Sequence, residues 1–137
     1  MTATDRIVEF FAAERFATIQ AAESGTSHRI VYADDEASGR LGGYRTGGTA
    51  APLDSDQIAQ LQSALRDDTL YEFELVKRVP FRPDHGIELH AGERSAIVLL
   101  DSSSTKLGWT EGQEVSSVDV HTSSAAYATV LDLLTNP

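Results

Sequence analysis

Two acid-x-His pairs are the densest group of metal-ligating side chains in the sequence: Glu88-Leu89-His90 and Asp119-Val120-His121. Residues two apart in a strand project from one face, so each pair would present a carboxylate and an imidazole together. If the two strands pair in register, Glu88, His90, Asp119 and His121 converge into a set suited to a divalent metal such as zinc, manganese or iron. Asp84 and His85 are close enough in sequence to contribute. The plainer expectation rests on the residues in between. Ile87, Leu89, Val118 and Val120 would form the core face, leaving the four polar residues on the solvent face.

A second chemistry is anion recognition. Lys77, Arg78 and Arg82 cluster around Val79, Pro80 and Phe81 in an otherwise acidic chain. Arginine suits carboxylate and phosphate because its donors are planar and bidentate. Pro80 and Pro83 hold a bend and keep the segment from continuing as a central strand. The competing expectation is that these cations neutralise Glu72, Glu74, Asp84 or Glu88 within the same sheet. Ser102, Ser103 and Ser104 offer hydroxyl nucleophiles, but the Gly-x-Ser-x-Gly elbow is absent and a run of this kind reads as a loop. The glycines at 42, 43, 47 and 48 lack both the Gly-Lys-Ser/Thr ending of a phosphate loop and the dinucleotide spacing.

These groups must be positioned by a sheet built around residues 70–101. Tyr71, Phe73 and Leu75 alternate with Glu72 and Glu74. Ile87 and Leu89 alternate with Glu88 and His90, and Ile97 to Leu100 is a continuous apolar run of the kind covered on both faces. Upstream, residues 4–24 read as one amphipathic helix with Thr4 as N-cap, Ile7, Phe11, Phe16 and Ile19 on its apolar side, and Ser24-Gly25 as its stop. Residues 28–33 and 40–46 read as a hairpin around the acidic turn Asp34-Asp35-Glu36, followed by a flexible glycine-rich linker to Pro52. Asp54 with Gln57 three residues later forms a capping box for a second helix, which runs to Asp67-Asp68. Lys106 to Trp109 and Val115 to His121 read as strands. A last helix buries Tyr127, Val130, Leu131 and Leu134, with Thr122 or Ser123 as N-cap. Short connections among the later strands favour antiparallel pairing. The expected fold is α+β, a single domain over residues 1–137, with three helices mainly on one face of a sheet of about five or six strands.

Phe81-x-Pro83-Asp84-x-Gly86-Ile87, placed after an amphipathic helix and a Tyr-led strand, resembles a segment of a group of small uncharacterised bacterial proteins. In that group the apolar strand, here Ile97 to Leu100, leads into closely spaced cysteines, where this chain has Asp101-Ser102-Ser103-Ser104. The resemblance covers about residues 55–135 and implies the same order of elements.

Composition sets the function class. The chain has 137 residues, 21 acidic and 11 basic, with a net charge of −10. Phosphate binding needs a basic surface, so duplex nucleic acid is not the expected partner. With no cysteine, a disulfide, a thiolate metal site and a cysteine nucleophile are excluded. The N-terminus lacks the layout of a signal peptide, and no apolar run approaches the ~20 residues of a membrane span, so the expected location is the cytoplasm, without membrane contact. No motif assigns a reaction. The leading expectation is a protein-binding module of inhibitor or immunity type, whose acidity steers it to a basic partner through Asp34, Asp35, Glu36, Asp67 and Asp68. The alternative is a metal-dependent protein built on the acid-x-His face, with a divalent metal as its only cofactor.

Overall fold

A computed structural model describes residues 3–74, 80–111 and 119–135. Its elements run α1 (Ala3–Phe11), α2 (Ala13–Ala21), β1 (Ser24–Val31), β2 (Ala37–Leu41), β3 (Tyr44–Pro52), α3 (Ser55–Arg66), β4 (Tyr71–Glu72), β5 (His85–Ala91), β6 (Arg94–Asp101), β7 (Lys106–Thr110), β8 (Asp119–Thr122) and α4 (Ser124–Thr135). The fold is α+β. All eight strands join one antiparallel sheet in the order β2-β3-β1-β5-β6-β7-β8-β4. It is wider than the five or six strands expected, with β2 and the two-residue β4 at its opposite edges.

Strand alternation sorts the core into two clusters. Ile87, Leu89, Val98, Leu100, Leu107 and Val120 pack with Ile7, Phe11 and Ile19 from α1 and α2, Leu61 and Leu65 from α3, and Tyr127, Val130 and Leu134 from α4. The alternate residues Ile30, Leu41, Tyr44, Ile97 and Leu99 form a smaller cluster against which Phe81 packs. The run Ile97 to Leu100 is therefore buried on both faces of the sheet, as its unbroken apolarity implies.

The single N-terminal helix expected over residues 4–24 is instead two helices. Ala12 breaks it with φ 73° and ψ 146°, a conformation that an alanine adopts only when its surroundings impose it. Those surroundings comprise one contact distant in sequence and one local. The Trp109 indole donates to the Phe10 carbonyl at 2.8 Å, and the Arg15 guanidinium donates to the Phe11 carbonyl. The last carbonyls of α1 are thus satisfied by side chains rather than by a further helical turn. At the end of α2, the Gln62 amide donates to the carbonyls of Ile19, Gln20 and Ala22, tying α2 to α3. Ser24 and Gly25, expected as a helix stop, begin β1.

The supposed flexible linker is β3. Gly42 and Gly43 make the β2–β3 turn, with Gly42 at φ 59°. Gly47 permits close packing rather than flexibility: a Cβ there would stand 2.7 Å from the Glu36 carbonyl oxygen and 2.9 Å from a Val31 methyl. The capping box of α3 is present, with Asp54 Oδ1 accepting from Gln57 N at 2.8 Å and the Gln57 side chain accepting from Asp54 N at 2.9 Å. Of the expected strand over 115–121, residues 115–118 lie outside the described residues, and β8 covers Asp119–Thr122.

Candidate interaction surface

The end of β6 and the start of β5 are held together by two carboxylates. Asp101, 1% exposed, accepts from Arg82 N at 2.8 Å, Ser103 N at 3.1 Å, Ser103 Oγ at 2.8 Å and Ser104 N at 3.3 Å. Burial alone would raise its pKa, but the donated hydrogen bonds outweigh it and the group lies below the ordinary value. Asp84 Oδ1 accepts from Ser102 N at 3.0 Å and Ser102 Oγ at 3.1 Å, and lies 3.4 Å from His85 Nδ1. Its pKa is depressed too, with burial opposed by His85 and Ser102. The single Ser102 proton goes to Asp84, so the Tyr127 hydroxyl, 3.2 Å away, donates to Ser102 Oγ. Burial pushes the Tyr127 phenol up to about 12. The chain of contacts is Tyr127–Ser102–Asp84–His85. A serine triad needs imidazole against the hydroxyl, whereas here a carboxylate occupies that place. The serine run thus serves as a loop that ties two strands to α4.

Beside this scaffold lies a cleft of about 440 Å³ lined by Arg29, Tyr32, Glu36, Arg82, Asp84 and His85, among others. Tyr32, at 43%, is the exposed large apolar side chain among the described residues. It is held at both ends. Its hydroxyl donates to the Pro83 carbonyl at 2.7 Å, and the Arg82 guanidinium lies 4.2 Å from its ring centroid. Burial, with Tyr44 adding to it and Arg82 opposing, raises its pKa. The acidic segment Asp34–Glu36 forms a short 3-10 turn after Tyr32 and leads directly into β2. That strand is an edge: it pairs with β3 alone, and its residues 37–40 are exposed.

The structure brings some expected site residues together and separates others. Glu88 and His90 share a face of β5 and bond to each other, Glu88 Oε1 to His90 Nε2 at 3.0 Å. Asp119 and His121 lie on β8, with β6 and β7 between it and β5, so the two pairs stand three strand spacings apart, about 14 Å. They do not converge, and the side chains of Asp119 and His121 lie outside the described residues. Among the described residues no group of three or more His, Cys, Asp or Glu side chains could hold a metal ion. Lys77 and Arg78 lie outside the described residues, whereas Arg82 joins the cleft. Glu74, which the cations of the bend were expected to neutralise, pairs with Arg6 at 2.6 Å. The two acidic segments belong to opposite edges of the sheet, Asp34–Glu36 leading into β2 and Asp68–Leu70 into β4. Asp67 caps the latter turn, accepting from Thr69 N at 2.9 Å and Thr69 Oγ1 at 2.8 Å, and these bonds lower its pKa.

Comparison with protein-family models, curated proteins and solved structures gave no match. Tyr32 and Arg29 had no signal in the sequence beyond their place at the end of a strand. Their shared cleft with Arg82 and His85 depends on β1 pairing with β5, where Arg29 lies opposite His85 across 56 residues of chain.

Proposed function

We propose that the chain works by binding another protein, as an inhibitor or immunity-type module in the cytoplasm, and that its partner is basic rather than duplex nucleic acid. The observation that carries this reading is Tyr32, an exposed aromatic locked by Arg82 and Pro83 beside an acidic turn and an open strand edge. Tyrosine and arginine are the side chains in which binding energy concentrates at interfaces, and a rigid tyrosine loses little entropy when it docks. The acidic turn contributes steering: a net charge of −10 accelerates encounter with a basic surface, with a strong dependence on salt. Because Asp67 and Asp68 follow α3 toward the other sheet edge, the reading places the contact at the β2 edge alone. No helix among the described residues is long and apolar enough to cross a membrane.

The test is capture from a lysate of the source organism with tagged wild-type protein and with two variants, Tyr32→Ala and the double variant Asp35→Lys/Glu36→Lys. One stoichiometric basic protein should be captured at low salt and lost at high salt. Tyr32→Ala should lose it at both salts, because removing an interface hot spot costs about 2 kcal/mol or more. Capture that is indifferent to both variants would remove this surface from consideration.

A further inference from the structure

The cleft beside Tyr32 carries a chemistry that protein docking does not require. It is lined by Arg29, Arg82 and His85, contributed by β1, by the segment before β5 and by the first residue of β5. The Arg29 side chain makes no hydrogen bond or ion pair among the described residues. Partners were not scarce, since the chain holds 21 acidic residues for 11 basic ones. Two arginines elsewhere do find carboxylates, Arg6 with Glu74 and Arg15 with Glu111. In the same cleft, His85 Nδ1 is buried without an aligned hydrogen bond, with Asp84 Oδ1 at 3.4 Å as its nearest acid. The Arg82 guanidinium is held 4.2 Å from the Tyr32 ring centroid, which fixes the position of its planar set of N–H donors beside the cleft.

We propose that this cleft binds an oxyanion, a carboxylate or phosphate group, through Arg29 and Arg82 with the His85 ring beside them. Guanidinium donors match the paired oxygens of either group. Two acids line the same space. Asp84 already accepts from Ser102 N and Ser102 Oγ, so part of its charge is compensated. Glu36 is exposed and stands against the anion, which holds affinity to the millimolar range, about that of a single solvent-exposed charge cluster. The cleft volume of about 440 Å³ accepts a small molecule larger than the anionic group itself. This site does not depend on the protein-binding reading and is tested without any partner.

The experiment is an NMR titration of the full chain with inorganic phosphate and, separately, with acetate, at constant pH and with ionic strength held constant by chloride. The Arg29 and Arg82 side-chain N–H groups and the His85 ring are followed. Saturable shifts are expected with at least one anion, the saturating one identifying the group as phosphate or carboxylate. Arg29→Gln should weaken binding about tenfold, the loss of one charge-assisted hydrogen-bonding partner. Arg94→Gln, an exposed arginine away from the cleft, should leave the titration unchanged. Shifts that rise linearly with both anions, or a titration of Arg29→Gln that matches wild type, overturn the proposal.

Discussion

Asp101 accepts from four donors while almost wholly buried, so its removal leaves the amides of Arg82, Ser103 and Ser104 without their acceptor. Asp101→Ala should lower stability by about 2–3 kcal/mol, read by urea unfolding at neutral pH. A loss near zero would mean that water replaces the carboxylate. The pH dependence follows from the same contacts. Asp84 and Asp101 both have folded pKa values below their unfolded ones. The unfolded state therefore takes up protons first as pH falls, and the stability these groups contribute, present above the unfolded value, is lost as pH drops through the folded value. Thermal melts from about pH 6 down to about pH 2 should show this loss, and Asp101→Asn should flatten the slope. An unchanged slope would remove Asp101 from the acid transition. At this scale the sequence was incomplete: Ser102-Ser103-Ser104 reads as a polar loop, but nothing in it marks the Asp101 carboxylate beside it as buried. Only the approach of Arg82 to Asp101, 19 residues away, and of Asp84 to Ser102, 18 residues away, makes this end of β6 a structural anchor.

Among the elements, the break between α1 and α2 concentrates strain in one alanine. Glycine adopts φ 73° without a Cβ penalty, and the usual cost of such a backbone in a non-glycine residue is about 1–3 kcal/mol. Ala12→Gly should raise stability by about 1 kcal/mol, after the greater unfolded-state entropy of glycine is counted, whereas Ala12→Val should lower it. Paired thermal melts decide this, and a destabilising Ala12→Gly would show that the break is relaxed. The sequence could not announce the break, because Ala12 is a strong helix former within an unbroken apolar stripe. The competing force was partly tertiary: Trp109, far along the chain, takes one carbonyl that a continuous helix would have used, and Arg15, from the start of α2, takes the next. The start of α3 was legible for the opposite reason. Asp54 and Gln57 satisfy each other's backbone within one turn, so the signal is entirely local. Glycine carried two meanings that composition alone does not separate, a turn at Gly42 and a tight strand crossing at Gly47.

For the molecule as a whole, a net charge of −10 opposes compaction through self-repulsion. Raising ionic strength from about 0.01 M to about 0.15 M shortens the screening length from about 30 to about 8 Å, so the melting temperature should rise with salt. Capture of a basic partner should weaken over the same range, and calorimetry beside salt-stepped capture would show the two moving oppositely. A melting temperature indifferent to salt would mean that the acids are spread too widely to repel.

The sequence by itself determined the α+β class, the β5–β6 hairpin, the cap of α3 and the buried face of α4, because each follows from periodicity or from contacts a few residues long. Strand order was decided only in three dimensions. The two acid-x-His pairs occupy a shared type of position, alternate residues on strands, yet β6 and β7 stand between them. The same order that separates those four residues places Arg29 opposite His85 and brings Arg82 over Tyr32. Side-chain period is set by the chain at each residue, whereas the neighbour of a strand is chosen by burial of the whole sheet.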